Sequence, residues 1–220
     1  MREFLFAFSG ILVLLASIVS PVLLPYPLFV LAYLRGWRLP RFGSPPVRLL
    51  LSTLICTAIL EIGAWLDNFI QNAPEPALLH PQLIPDLIMS VGVYSAWGLA
   101  WWLMLRRYHF TTQQVFTVTG LYGVLIEQQG SVFLAGLGSL PWGVLLWLFV
   151  AVAYGSTMGL AFFLARDGFA AARDTWVKYP LAWAALLVLT LLTSILWGVV
   201  LRLLDVLPPE KLPMRDYPLW

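Results

Sequence analysis

The chain has one cysteine, Cys56, and it lies inside an apolar run. An intramolecular disulfide, a thiol–disulfide exchange pair and any multi-cysteine metal site are thereby excluded. Histidine is almost as scarce, with only His80 and His109. The topology derived below puts them on opposite faces of a membrane, where they cannot jointly ligate a metal or a haem. Charge is the third scarcity. Charged residues make up 11% of the 220 and the net charge is +2, too little for a nucleic-acid footprint. Also missing are the HExxH, GxSxG and P-loop patterns. The serine between glycines in YGSTMG (154–159) has no histidine in a neighbouring span to act as its base.

Apolar residues fill the space. They are 60% of the chain, aromatics are 15%, and the mean hydropathy is +0.84. A soluble domain carries about 45–50% apolar and about 25% charged residues. The composition therefore predicts an all-α, polytopic membrane bundle, with 1–220 as one transmembrane domain.

Six apolar stretches are long enough to cross. The first, 4–34, is broken in its second half by Pro21, Pro25 and Pro27, and reads as one kinked span, with a hairpin turning near Pro21 as the alternative. It exceeds the 7–15-residue core of a signal peptide. The others are 47–66, 87–105, 112–135, 142–165 and 181–203, followed by a proline-rich tail over 204–220. Thr111 and Gln114 form a capping-box pattern at the start of the fourth. The loop after the fifth span has room for a short surface helix.

Lysine and arginine set the orientation. Loops 35–48, 106–109 and 166–180 hold nine of the 13 basic residues, and loops 67–86 and 136–141 hold none. The three basic loops are expected in the cytoplasm, with both termini outside; a hairpin at the start would bring the N-terminus inside. A prokaryotic cell membrane is the expected location.

Small residues at spacing four mark close helix contacts. Gly92, Ala96 and Ala100, Gly120 and Gly123, and Ala151, Gly155 and Gly159 predict that spans three, four and five form the tight core. The sixth span reads as peripheral. Trp65, Trp97, Trp101, Trp102, Trp142, Trp176, Trp183 and Trp197 read as an interfacial belt, or as a pocket lined by indoles.

Two acids lie within spans. Glu61 shares a helix face with Thr53, Thr57 and Asn68, and Glu127 is followed by Gln128 and Gln129. No lysine or arginine is placed at their depth, so each must be protonated, hydrogen-bonded, wet or bound to a cation. The candidate polar site is Glu61, Glu127, Gln128, Thr57 and Asn68. Asp67, Gln71 and His80 would form its outer mouth, with His80 read as an exposed loop residue. No cofactor and no metal set is implied. Arginines of the basic loops can meet anionic headgroups, although orientation alone accounts for them.

Three readings follow. The first is a non-catalytic subunit of a larger membrane complex, with the bilayer and other membrane subunits as its partners. The second is a small proton- or cation-linked transporter using Glu61 and Glu127. The third is an intramembrane enzyme acting on a lipid or isoprenoid, with a protonated Glu127 as general acid.

Overall fold

A computed structural model of the chain describes residues 2–40, 42–73, 77–169, 173–206 and 210–220. Arg41, Glu75, residues 170–172 of the possible surface helix and residues 207–209 of the tail lie outside the described residues. Among the described residues the fold is helical, without strands. Its helices are α1 (Arg2–Ala16), α2 (Pro25–Arg35), α3 (Pro45–Gln71), α4 (Leu83–Leu105), α5 (Thr112–Ile126), α6 (Ser131–Gly138), α7 (Gly143–Ala165) and α8 (Lys178–Leu203). Four of them, α3, α4, α7 and α8, are long and apolar enough to cross a membrane. Two of the six expected spans are not single helices.

The stretch 4–34 is a hairpin rather than one kinked span. A helix running through Pro21, Pro25 and Pro27 would lose backbone hydrogen bonds and clash with the preceding turn. Instead Pro21 opens a short 3-10 turn and Pro25 begins α2, positions where a missing N–H costs nothing. The two arms pack antiparallel. Phe6 meets Tyr33 edge-on at 5.2 Å, Ser9 shares a 2.9 Å hydrogen bond with Tyr26, and Gly10 lies against Val30. Asp67 pins the turn to α3, accepting from Ser20 Oγ at 2.7 Å and from the Val22 N–H at 3.3 Å. At Gly63, one turn away, a Cβ would come within 2.5 Å of the Pro21 carbonyl oxygen. Asp67 thus fastens the hairpin to α3. Asp67→Ala is expected to lower unfolding stability in detergent by about 1.5–3 kcal/mol, the range for hydrogen bonds to a charged group. An unchanged unfolding midpoint would mean that apolar packing alone holds the hairpin.

The fourth span is interrupted. The predicted capping box is present: the Thr111 N–H donates to Gln114 Oε1 (3.0 Å) and the Gln114 N–H to Thr111 Oγ1 (3.2 Å). The helix then stops at Ile126, nine residues before the expected Ala135. Gln128 (φ 46°), Gln129 (φ 60°) and Gly130 (φ 87°) are left-handed, and α6 starts afresh at Ser131. Three polar residues followed by a glycine favour this break, because their side chains and the glycine's freedom relieve the interrupted backbone.

The helix α7 is the axis of the bundle, packing against α2, α3, α5 and α6. Two-thirds (67%) of its spanning window is buried, against 11% for α8, so α8 is peripheral as its sequence predicts. Gly120 and Gly123 lie against Ala151 and Tyr154, and Gly155 against Phe116, which realises the expected contact of spans four and five. Span three departs from expectation. Gly92 faces Trp197 of α8, and the backbones of α4 and α5 do not approach each other. Indoles fill the space between them: Trp97 meets Tyr122 at 5.9 Å, and Trp101 Nε1 donates to Thr119 at 3.1 Å. Trp65, Trp97 and Trp101 are therefore core residues, while Trp142 and Trp176 are exposed as belt residues are.

The three basic loops meet at one end. The Leu39 N–H donates to the Leu164 carbonyl, Arg48 donates to the Asp167 carbonyl, and the His109 N–H donates to the Arg173 carbonyl. Buried Lys178 donates to Asp174 (2.6 Å), Gln114 (3.0 Å) and the His109 carbonyl (2.7 Å). Its ammonium holds the Asp174 carboxyl below the usual carboxylate range.

Candidate functional site

The site is built on α3, α4, α7 and the α5–α6 break. Helix α4 begins at Leu83, so Asp86 falls in its first turn and not in the preceding loop. Pro85 is tolerated there because the first-turn N–H groups have no intrahelical partner. Two of those groups are satisfied from far along the chain: the Leu83 N–H donates to the Pro218 carbonyl and the Ile84 N–H to the Leu219 carbonyl, both at 3.1 Å. Gln82, fully buried, donates to the Leu212 carbonyl at 2.8 Å. The tail therefore lies over the start of α4.

Beneath it, Asp86 is fully buried and its Oδ1 accepts the His80 N–H at 3.0 Å. His80 is 2% exposed, its Nδ1 accepting from the Gln82 N–H at 3.2 Å. The expectation of an exposed loop histidine is overturned: the 77–82 segment folds inward, anchored by Trp65 donating to the Pro81 carbonyl (3.0 Å). The other carboxyl oxygen of Asp86 is buried with no hydrogen-bond partner among the described residues, and Glu61 lies near it. A proton on that oxygen would give the acid a donor, since a carboxylate is solely an acceptor. Glu61 in turn accepts the Tyr94 hydroxyl.

A second arm comes from the other side. Tyr154, at the middle of α7, donates its hydroxyl to Glu127 at the α5–α6 break. Tyr94 and Tyr154 both pack on Trp97, at ring-centroid distances of 5.2 and 5.5 Å. Trp97 is 1% exposed and its indole N–H has no acceptor. Glu61 and Glu127 do not touch, yet they end two arms that meet at one tryptophan. Among the described residues the ion pairs are Arg38–Asp167 and Lys178–Asp174, both at the basic end. Among the described residues no lysine or arginine pairs with the three acids, and His80 lies beside Asp86.

The other predicted members fall elsewhere. Thr57 donates to its own helix at the Thr53 carbonyl (2.8 Å). Asn68 donates to the Ala64 carbonyl (2.8 Å) and lines a separate cleft of about 620 Å³ beneath the tail. Gln128 is carried outward by the left-handed turn, where it accepts from Ser131 at 3.1 Å. Gln71 is exposed at the end of α3. Asp86 was the residue missed at the sequence level. The pattern held a clue, since Asp86, Ser90, Tyr94 and Trp97 recur at helical spacing.

Comparison with protein-family models, with curated proteins and with solved structures finds no match to this chain.

Proposed function

We propose that this protein is a proton-linked membrane carrier working through Asp86, Glu61, Tyr94, Tyr154 and Glu127. One observation carries the reading: two phenol–carboxyl pairs, Tyr94–Glu61 and Tyr154–Glu127, converge on Trp97, buried Asp86 lies near Glu61, and among the described residues no lysine or arginine pairs with any of the three acids. In hydrocarbon, uncompensated carboxylates cost several kcal/mol, so such a cluster is stable with protons on it and conducts by passing them. It runs from the tail-covered start of α4 to the centre of the bundle, where α5 and α6 part. Discontinuous helices with an ionisable group at the break are a recurring arrangement in transporters.

In this reading the broken α5–α6 pair crosses as a fifth span, the α1–α2 hairpin enters from the basic end and turns at the level of Asp67, and the basic end faces the cytoplasm. The N-terminus then lies inside and the tail outside. A second reading is favoured by Glu127, which is half-buried at the break beside exposed Gln128 and Gln129. There it could pass its proton to another membrane protein, making the chain a subunit of a larger complex.

The test is proton flux into liposomes containing the purified protein alone, read by an internal pH dye. Flux that falls about tenfold or more in Glu127→Gln, with insertion unchanged, supports the carrier. No flux from the protein alone, with flux in native membranes that depends on Glu127, supports the subunit. No flux in either setting, with a lipid product lost in Glu127→Gln cells, would overturn both in favour of an intramembrane lipid enzyme.

A further inference from the structure

A cavity of about 410 Å³ opens at the basic end of the bundle. Leu105, Phe110 and Phe162 line its apolar part, and His109, Thr112 and Arg166 its polar part. Its one acid, Asp167, is engaged by Arg38 at 3.6 Å. Arg166 makes no ion pair among the described residues, and its guanidinium lies 4.5 Å from the centre of the Phe163 ring. The aromatic face orients the cation without neutralising it.

A second hollow, a groove of about 770 Å³, adjoins the first, and Thr111 lines both. It follows α5 past Thr117 and Val118 to Leu121, opposite Pro180 and Trp183 of α8. The groove exists because the α8 backbone packs along α4 and meets α5 mainly through side chains, the Trp183 indole donating to the Val118 carbonyl at 3.3 Å. Near its mouth Gln114 donates to Tyr179 at 2.8 Å, and the Lys178 charge is already committed to Asp174. From Thr111 to Leu121 the helix rises about 15 Å, half of a hydrocarbon core about 30 Å thick. A free cation at headgroup level thus adjoins a channel one leaflet deep.

We infer that this face binds one anionic phospholipid, its phosphate against Arg166 and an acyl chain along the α5–α8 groove. Guanidinium and phosphate pair through parallel charge-assisted hydrogen bonds, which a zwitterionic headgroup offers less strongly because its own cation competes. The inference is independent of the carrier reading.

The full-length protein in mild detergent would be offered equal amounts of phosphatidylglycerol and phosphatidylcholine, and the retained lipid read by native mass spectrometry. Phosphatidylglycerol should be retained about tenfold over phosphatidylcholine. Arg166→Gln should abolish that preference, and Leu121→Trp, which fills the groove, should reduce retention of both lipids. Millimolar inorganic phosphate should not displace the bound lipid. Equal retention of the two lipids by the unaltered protein overturns the proposal. So does a preference that survives Arg166→Gln, or displacement by phosphate, which would make the cavity a free-phosphate site. Should Arg166→Gln fail to fold by circular dichroism, undiminished retention in Leu121→Trp overturns it alone.

Discussion

Glu61→Gln and Asp86→Asn are each expected to suppress proton-linked flux on the order of a hundredfold, and to do no more together than apart. The two carboxyls are neighbours, and among the described residues no lysine or arginine pairs with either, so a charge on one disfavours a charge on the other and they act as one device. Effects within one network are not additive. An amide keeps the shape: Gln at 61 still accepts the Tyr94 hydroxyl, and Asn at 86 still accepts the His80 N–H. The unfolding midpoint should therefore change little while flux collapses. Infrared spectroscopy supplies a second readout, because the absorption of the protonated carboxyl that remains should shift in either single variant as its neighbour is replaced. Losses that multiply in the double variant would show two separate sites, and the coupling of the two carboxyls would have to be abandoned.

The second large effect is structural. Gly120→Leu should destabilise the bundle by about 3 kcal/mol, since even a Cβ there would sit 2.5 Å from the Ala151 carbonyl oxygen. That atom is backbone and can yield only if α5 moves off α7, the packing that carries Glu127 to Tyr154. Gly198→Leu is the matched comparison, as a Cβ at Gly198 meets nothing within 4 Å. Thermal unfolding followed by circular dichroism should separate the two variants clearly. Equal midpoints would mean that the α5–α7 contact has slack that the glycine spacing does not suggest.

Much of this arrangement was legible in the residues. Hydropathy alone locates α3, α4, α7 and α8, because crossing a bilayer demands a long uninterrupted apolar run. The convergence of the three basic loops at one end follows from their even spacing along the chain. Hydropathy is blind to what lies within a run. It registers 4–34 as one segment although Pro21 and Pro25 turn the chain back, and it carries the fourth span through Gln128 and Gln129, where the backbone leaves the helix. The acids show the same division. Glu61 and Glu127 stand out because each interrupts an apolar stretch. Asp86 is camouflaged by the proline-rich loop before it, since the start of its helix is completed by a tail more than a hundred residues away. Pairings of that range leave no local pattern to read.

That tail has a bearing on how the protein is made. The carbonyls of Leu212, Pro218 and Leu219 complete the start of α4, yet they are synthesised long after α4 has been threaded into the membrane. Until they arrive, the N–H groups that open α4 at Leu83 and Ile84 lack these acceptors. Helix α8 delivers the missing piece, and the Trp197 indole, donating to the Ile88 carbonyl at 2.8 Å, docks it against α4 on the way. A chain halted before α8 would therefore leave the Leu83 and Ile84 N–H groups and the Gln82 amide without the carbonyls that satisfy them.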